Sequence, residues 1–188
     1  MPSRPLDAGI VVRRVRADDW ERTRDLRLEA LGDPVAAIAF LETTAQALAR
    51  PDAEWQERAA KNATAVDQAG FVAEDDAGLG GTVIVFVRKA GIPDYFDRVP
   101  EEDEATVVGV YVSPRMRGRG VIDALLATAI TWSRDAGYSV LTLDVHERNV
   151  VAIASYERAG FRATGWFDGE DGREVAMTLR LVPDVEGR

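Results

Sequence analysis

Hydrophobic and polar positions along the chain follow two periods. The run Ile10-Val11-Val12-Arg13-Arg14-Val15-Arg16 is rich in β-branched residues and reads as a short strand. After it, Trp20, Leu26, Leu28 and Leu31 are separated by Arg and Glu at helical spacing. Asp18 or Asp19 is placed to cap that helix, and Gly32-Asp33-Pro34 stops it. Residues 33–50 are Ala-rich and have no clear period. Pro51-Asp52-Ala53-Glu54-Trp55 then opens a second helix with an acidic first turn, running to about Asn62.

The period changes to two beyond residue 69. Gly70 to Glu74 and Gly81 to Arg88 read as strands on either side of the turn signal Asp75-Asp76-Ala77-Gly78, so the pair forms a hairpin. A loop over 91–100 leads to the strand Ala105 to Val112. Val121 to Ala136 is a long helix, apolar on most faces and therefore buried, ended by Gly137. Ser139 to Val145 is a strand, Asn149 to Gly160 a helix, and Phe161 to Phe167 and Glu174 to Leu181 the last strands. The order β α α β β β α β α β β is a mixed α/β layout. One domain is expected over residues 9–182, with frayed segments at 1–8 and 183–188.

Composition narrows the chemistry. The chain has 188 residues and no cysteine, which removes disulfides, thiolate metal sites and a cysteine nucleophile. Its one histidine, His146, removes a multi-histidine metal site and argues against a serine–histidine triad. No metal is expected. Acids outnumber bases 32 to 23, a net charge of −9. That balance disfavours coating a nucleic acid and favours a cationic partner, such as an amine, through long-range attraction. The start Met1-Pro2-Ser3-Arg4 lacks the apolar core of a signal peptide, and no run approaches the ~20 apolar residues of a membrane span. A cytoplasmic location away from membranes is the expectation.

Candidate chemistry concentrates in Val110-Tyr111-Val112-Ser113-Pro114-Arg115-Met116-Arg117-Gly118-Arg119-Gly120-Val121. A strand ends, a Gly/Arg turn follows and a helix begins. The first turn of a helix has N–H groups without intrahelical partners and carries the positive end of the dipole. Gly118 and Gly120 let an anion approach the main chain. A P-loop is excluded because Gly-Lys-Ser/Thr is missing, and only Lys61 and Lys89 exist. A dinucleotide fold is excluded because the third glycine is missing and the turn lies past mid-chain.

On these residues the chain resembles the GCN5-related N-acetyltransferase (GNAT) superfamily. Arg117 and Gly120 match the fingerprint Arg/Gln-x-x-Gly-x-Gly/Ala, and Ile122 stands where Gly or Ala is usual. Asn149, Ala152, Tyr156, Gly160 and Phe161 match a second segment, Asn-x-x-Ala-xxx-Tyr-x-x-x-Gly-Phe. The resemblance spans about residues 10 to 182. It implies a mostly antiparallel twisted sheet with a splayed parallel strand pair, flanked by about four helices. It implies acetyl-coenzyme A (acetyl-CoA) as cosubstrate and direct acetyl transfer to a primary amine of a small molecule or protein. A homodimer is common among similar proteins.

By the same resemblance the main chain of Arg117, Gly118, Arg119, Gly120, Val121 and Ile122 holds the diphosphate, with side-chain help from Arg117 or Arg119. Backbone groups of Val110, Tyr111 and Val112 pair with the pantetheine arm, and one N–H polarises the thioester carbonyl. Asn149 either caps its helix or contacts the arm, or does both. Tyr156, two helical turns on, is the expected general acid for the leaving thiolate, with plain packing as the alternative. The position usually held by a Glu base is Thr106. Glu104, two residues earlier, is the first candidate base, acting through water. His146, Glu147 and water alone are alternatives. The acceptor pocket is expected around residues 29–55, loop 91–100 and the last hairpin, walled by Trp55, Tyr95, Phe96, Trp166 and Phe167. Asp94, Asp97, Glu101, Glu102, Asp103, Asp168, Glu170 and Asp171 are available to attract a cation or simply to be solvated. Thr106 and Ile122 keep open a second reading, a non-catalytic acetyl-CoA sensor or interaction module.

Overall fold

The computed structural model describes residues 4–169 and 172–181. In chain order the elements are β1 (Val11–Arg14), α1 (Trp20–Leu31), α2 (Thr44–Ala49), α3 (Asp52–Thr64), β2 (Gln68–Asp75), β3 (Gly78–Arg88), β4 (Glu104–Val112), α4 (Val121–Asp135), β5 (Val140–His146), α5 (Val150–Arg158), β6 (Arg162–Gly169) and β7 (Gly172–Arg180). The expected order holds with one addition. Part of the Ala-rich stretch folds as α2, started by a capping box in which Gln46 N–H meets Thr43 Oγ1 and Thr43 N–H meets Gln46 Oε1 at 2.8 Å. The described residues therefore hold five α-helices rather than about four.

The strands form one sheet in the order β1-β2-β3-β4-β5-β7-β6. Every neighbouring pair is antiparallel except β4 and β5. On one face lies α4, whose Val121, Leu125, Leu126 and Ala129 recur at helical spacing and are buried against Val83, Val85, Val107 and Leu141. On the other face α3 places Ala59 against Val15 and Val72, and α1 places Leu26 and Ala30 against Tyr111.

Two expectations change at the N-terminal side. Asp19 does occupy the position before α1, but its carboxylate does not cap that helix. It is buried and bonds instead to Arg13 (2.6 Å), to Arg22 (3.1 Å) and to the Arg16 N–H (2.8 Å). Arg13 also pairs with Glu74 of β2 at 2.7 Å, so this cluster ties β1, β2 and α1 together. Second, residues 4–7 are anchored where fraying was expected: Asp7 N–H donates to the Arg119 carbonyl at 3.1 Å, and Arg4 N–H donates to Asp123 at 2.9 Å.

Burial alone raises the pKa of Asp19, but hydrogen bonds from Arg13 and Arg16 outweigh it, and the net shift is downward. A depressed carboxyl pKa contributes stability above the unfolded value of about 3.9, and the contribution vanishes as pH falls through the folded value. Asp19→Asn should therefore lose about 2 kcal/mol near neutrality. Its stability should decline less steeply than the parent's below about pH 4, as urea unfolding across pH would record.

Candidate active site

The site begins where β4 and β5 part. They pair only at Ala105 with Leu141 and Thr106 with Thr142, and the two threonine hydroxyls meet at 2.8 Å at the vertex. Beyond it β4 bends. Thr82 of β3 faces Tyr111 and Ile84 faces Val108, so β4 carries one extra residue across that interval. The bulge includes Gly109, at φ +60°. A bulge of this kind bends its strand and increases the local twist. Sequence reading passed over Gly109, although a lone glycine inside a β-rich run is the signal for a bulge.

The divergence opens a cleft of about 1740 Å³, walled by Val108, Val110 and Val112 from β4 and Val145 from β5. Parallel strands normally satisfy each other's peptide groups along their length; here the β5-facing edge of β4 has no strand beside it after Thr106. The Tyr111 side chain takes no part in that edge. It packs on Leu26 and Ala30, and its hydroxyl donates to Glu29 at 3.2 Å. Burial, then the nearby Glu29 charge, pushes its pKa up to about 12.

At the wide end of the cleft stands the N-terminus of α4. Gly118 and Gly120 have φ of +73° and +77°, and a Cβ on Gly120 would lie 2.3 Å from the Pro5 carbonyl. Among the described residues no hydrogen bond engages the peptide N–H groups of Gly118, Arg119, Gly120, Val121 or Ile122. The side chain of Ile122 packs on the core beside them. These donors, at the positive end of a 15-residue helix, are suited to an anion.

The arginines around this turn are less available than their number suggests. Arg115 pairs with Asp75 at 2.7 Å and donates to the Gly78 and Leu79 carbonyls. Arg117 donates from Nε to the Val112 carbonyl at 3.0 Å and pairs through Nη2 with Asp33, bracing the end of β4. Burial opposes the charge on Asp33, yet the Val35 N–H and Arg117 hold its carboxyl below the usual range. Arg119 pairs with Asp7 at 3.0 Å. Arg4 differs. Its main chain is fixed by Asp123, its Nη1 lies 3.9 Å from where a Gly118 Cβ would stand, and its guanidinium forms no ion pair among the described residues. Nothing in the sequence marks Arg4, because only folding lays residues 4–7 across this turn.

Along α5, Asn149 accepts from Ala152 N–H at 3.3 Å through Oδ1. The amide nitrogen then remains for donation on the cleft wall. Tyr156 is buried, reaches the same cleft and packs edge-on to Phe161. Its hydroxyl has no hydrogen-bond partner among the described residues, and burial pushes its pKa well above that of a free phenol.

Glu104 is placed elsewhere. It pairs with Arg88 at 3.0 Å and lines a small cavity of about 240 Å³ that shares Arg88, Arg98 and Asp144 with the cleft wall, while Glu104 itself does not line the cleft. His146 is buried on the cleft wall; its Nδ1 accepts from Arg148 N–H at 3.1 Å, which places the proton on Nε2. Glu147 pairs with Arg173 at 3.8 Å, off the cleft.

At the acceptor end Trp55, Tyr95 and Phe96 line the cleft as expected. Trp166 instead is 63% exposed on β6, and Phe167 supports Phe96 from behind with ring centroids 4.7 Å apart. Three of the acids near this end are committed to cations. Asp94 is held by Arg88 and Arg98 at 2.8 Å each, Asp144 by Arg98, and Asp103 by Lys89 at 2.9 Å. Asp97, Glu101, Glu102 and Asp168 are exposed, and Glu170 and Asp171 lie outside the described residues. Among the described residues no cluster of His, Asp or Glu is arranged to hold a metal ion, and no helix is long and apolar enough to cross a membrane.

This geometry agrees with the comparisons to known proteins. The model of the acetyltransferase (GNAT) family matches residues 27–161, and the chain belongs to that family. It is 37% identical over 71 residues to an aminoglycoside N(6')-acetyltransferase type 1 from Stenotrophomonas maltophilia, covering 38% of this chain and 46% of that protein. It is 35% identical over 83 residues to the [ribosomal protein bS18]-alanine N-acetyltransferase of Escherichia coli K12, covering 42% and 56%. The chain thus spans about half the length of these curated relatives. The crystal structure of a GNAT superfamily phosphinothricin acetyltransferase from Sinorhizobium meliloti in complex with acetyl-CoA superposes with a TM-score of 0.71 at 19% identity, covering 96% and 92%. That last likeness shows the fold.

The cap at Asn149 can be separated from any binding role. Asn149→Ala should cost about 1 kcal/mol of stability, whereas Asn149→Asp keeps the accepting oxygen and should stay within about 0.5 kcal/mol of the parent. Chemical denaturation reads both.

Proposed function

We propose that this protein transfers an acetyl group from acetyl-CoA to a primary amine, by direct attack within a ternary complex. One observation carries the reading. The unengaged N–H groups of the Gly118–Ile122 turn lead directly into the unpaired edge of β4, and that edge ends in a cleft containing Asn149 and Tyr156. A diphosphate with an extended amide-bearing arm matches such a sequence of donors. The relatives named above are N-acetyltransferases, one named for an aminoglycoside and one for an alanine of a ribosomal protein.

In this proposal the peptide N–H groups of residues 118–122 hold the diphosphate, the Arg117 N–H being spent on the Pro114 carbonyl at 3.3 Å. Because Arg115, Arg117 and Arg119 are paired, the guanidinium that joins them is Arg4. Peptide groups of Val110, Tyr111 and Val112 align the pantetheine arm, and Asn149 donates its amide N–H to it. An N–H of this strand stabilises the oxyanion as the carbonyl is attacked. The acceptor arrives as an ammonium ion and loses a proton to water. Its nitrogen forms the C–N bond, the C–S bond breaks, Tyr156 protonates the thiolate, and the surplus proton on the nitrogen passes through water to restore the phenol. A pKa raised by burial keeps that phenol protonated for the task. Glu104, the first candidate for base, does not itself line the cleft but is paired with Arg88 of the cleft wall, and it would reach the amine only through intervening water.

Thermal unfolding with and without acetyl-CoA, followed by a free-thiol assay over polyamines, aminoglycosides, amino acids and peptides, tests the reading. A stabilising shift and amine-dependent thiol release are expected. A shift without thiol release for any acceptor would identify a binding module instead. Tyr156→Phe should lower kcat about 100-fold and leave the affinity for acetyl-CoA unchanged. In the parent, kcat should show no alkaline loss up to about pH 10, the ordinary phenol value. Arg4→Gln should weaken acetyl-CoA about tenfold, or about 1.4 kcal/mol, with kcat retained.

A further inference from the structure

The acceptor end of the cleft has a charge arrangement that the sequence does not suggest. Glu42, from the connection between α1 and α2, is half-buried between Arg27 at 2.9 Å and Arg50 at 2.5 Å. A third guanidinium, Arg58 of α3, lines the same wall. Arg50 and Arg58 both lie over the ring of Trp55, at 4.8 and 5.6 Å from its centroid, and Arg27 lies 4.2 Å from that of Phe40. Arg50 also approaches Glu54 at 3.4 Å, but Glu54 is solvated. Arg58 forms no ion pair among the described residues. The indole Nε1 of Trp55 is buried and has no acceptor among them.

We infer that this wall is an anion subsite, and that the acceptor is an amine carrying a carboxylate at its far end. Arg27 and Arg50 share the half-buried Glu42, Glu54 meets Arg50 at the solvated rim, and Arg58 adds a third guanidinium, so the wall holds surplus positive charge in a protein of net charge −9. Desolvation along the wall, then the neighbouring Arg50, works against the charge on Arg58, although the residue also reaches solvent and Glu42 and Glu54 offset part of the effect. The planar guanidinium matches a carboxylate with two parallel hydrogen bonds. The overall negative charge repels polyanions at long range, so a zwitterion is the form that satisfies both fields. The inference rests on the acetyl-transfer reading for the amine end. The anion subsite itself depends only on the geometry of Arg27, Arg50, Arg58 and Trp55.

Matched acceptors test it: 4-aminobutyrate against butylamine, with 2-aminoethyl phosphate and spermidine as further arms. With the parent protein and acetyl-CoA, kcat/KM for 4-aminobutyrate should exceed that for butylamine at least tenfold. Arg58→Gln should abolish that ratio, Arg58→Lys should restore part of it, and the affinity for acetyl-CoA should not change in either. A preference for 2-aminoethyl phosphate that also requires Arg58 would keep the subsite and replace carboxylate by phosphate. Equal values for the matched pair, a preference for spermidine, or a ratio that survives Arg58→Gln would overturn the proposal. Calorimetric binding of 4-aminobutyrate to the coenzyme A complex separates the two readings. Binding that requires Arg58 without thiol release would sink acetyl transfer and keep the subsite. Thiol release with butylamine and no Arg58-dependent binding would do the reverse.

Discussion

Two strands that point the same way and stop pairing after two residues are the constraint on which the rest of this structure depends. A buried sheet ordinarily spends every peptide group on a neighbour. Where β4 leaves β5, the threonine pair at the vertex satisfies its own hydroxyls and closes one end, while the bulge at Gly109 turns the strand outward. The cleft exists because the core continues on both sides of the gap. Val107 and Leu141 are fully packed below it, and α4 and α5 hold the two walls apart above it.

The second consequence concerns charge. An acidic protein with a cluster of arginines beside a helix N-terminus suggests side chains reaching for phosphate. The structure uses them differently. Arg117 braces the last residue of β4 against the α1–α2 connection, and Arg115 and Arg119 tie the turn to β2 and to the N-terminal segment. Their role is to hold the turn rigid, so that peptide N–H groups point outward at a fixed spacing. A preorganised set of backbone donors loses little entropy on binding an anion, whereas long side chains must be ordered first.

At the acceptor end the same logic applies with the opposite outcome. Of the acids that looked available, Asp94 is consumed by Arg88 and Arg98 and Asp103 by Lys89. The arginines of α1, α2 and α3 are left in excess around Trp55. Net charge therefore describes how the molecule meets a partner at a distance. It does not describe which sign of charge lines its interior.

Local patterning was enough to place eleven of these twelve elements in order, all but α2, because burial on one face imposes a period of two on strands and 3.6 on helices. It also singled out the Gly118–Gly120 turn, Asn149 and Tyr156, since glycine at positive φ, a helix cap and a residue two turns on are relations between near neighbours in the chain. The pairing of Glu104 with Arg88, the delivery of Arg4 across the turn and the gathering of Arg27, Arg50 and Arg58 on one wall are relations between separate elements. Those were decided by the three-dimensional packing alone: which ionic groups pair depends on which strand edges and helix faces meet, and no local propensity encodes that.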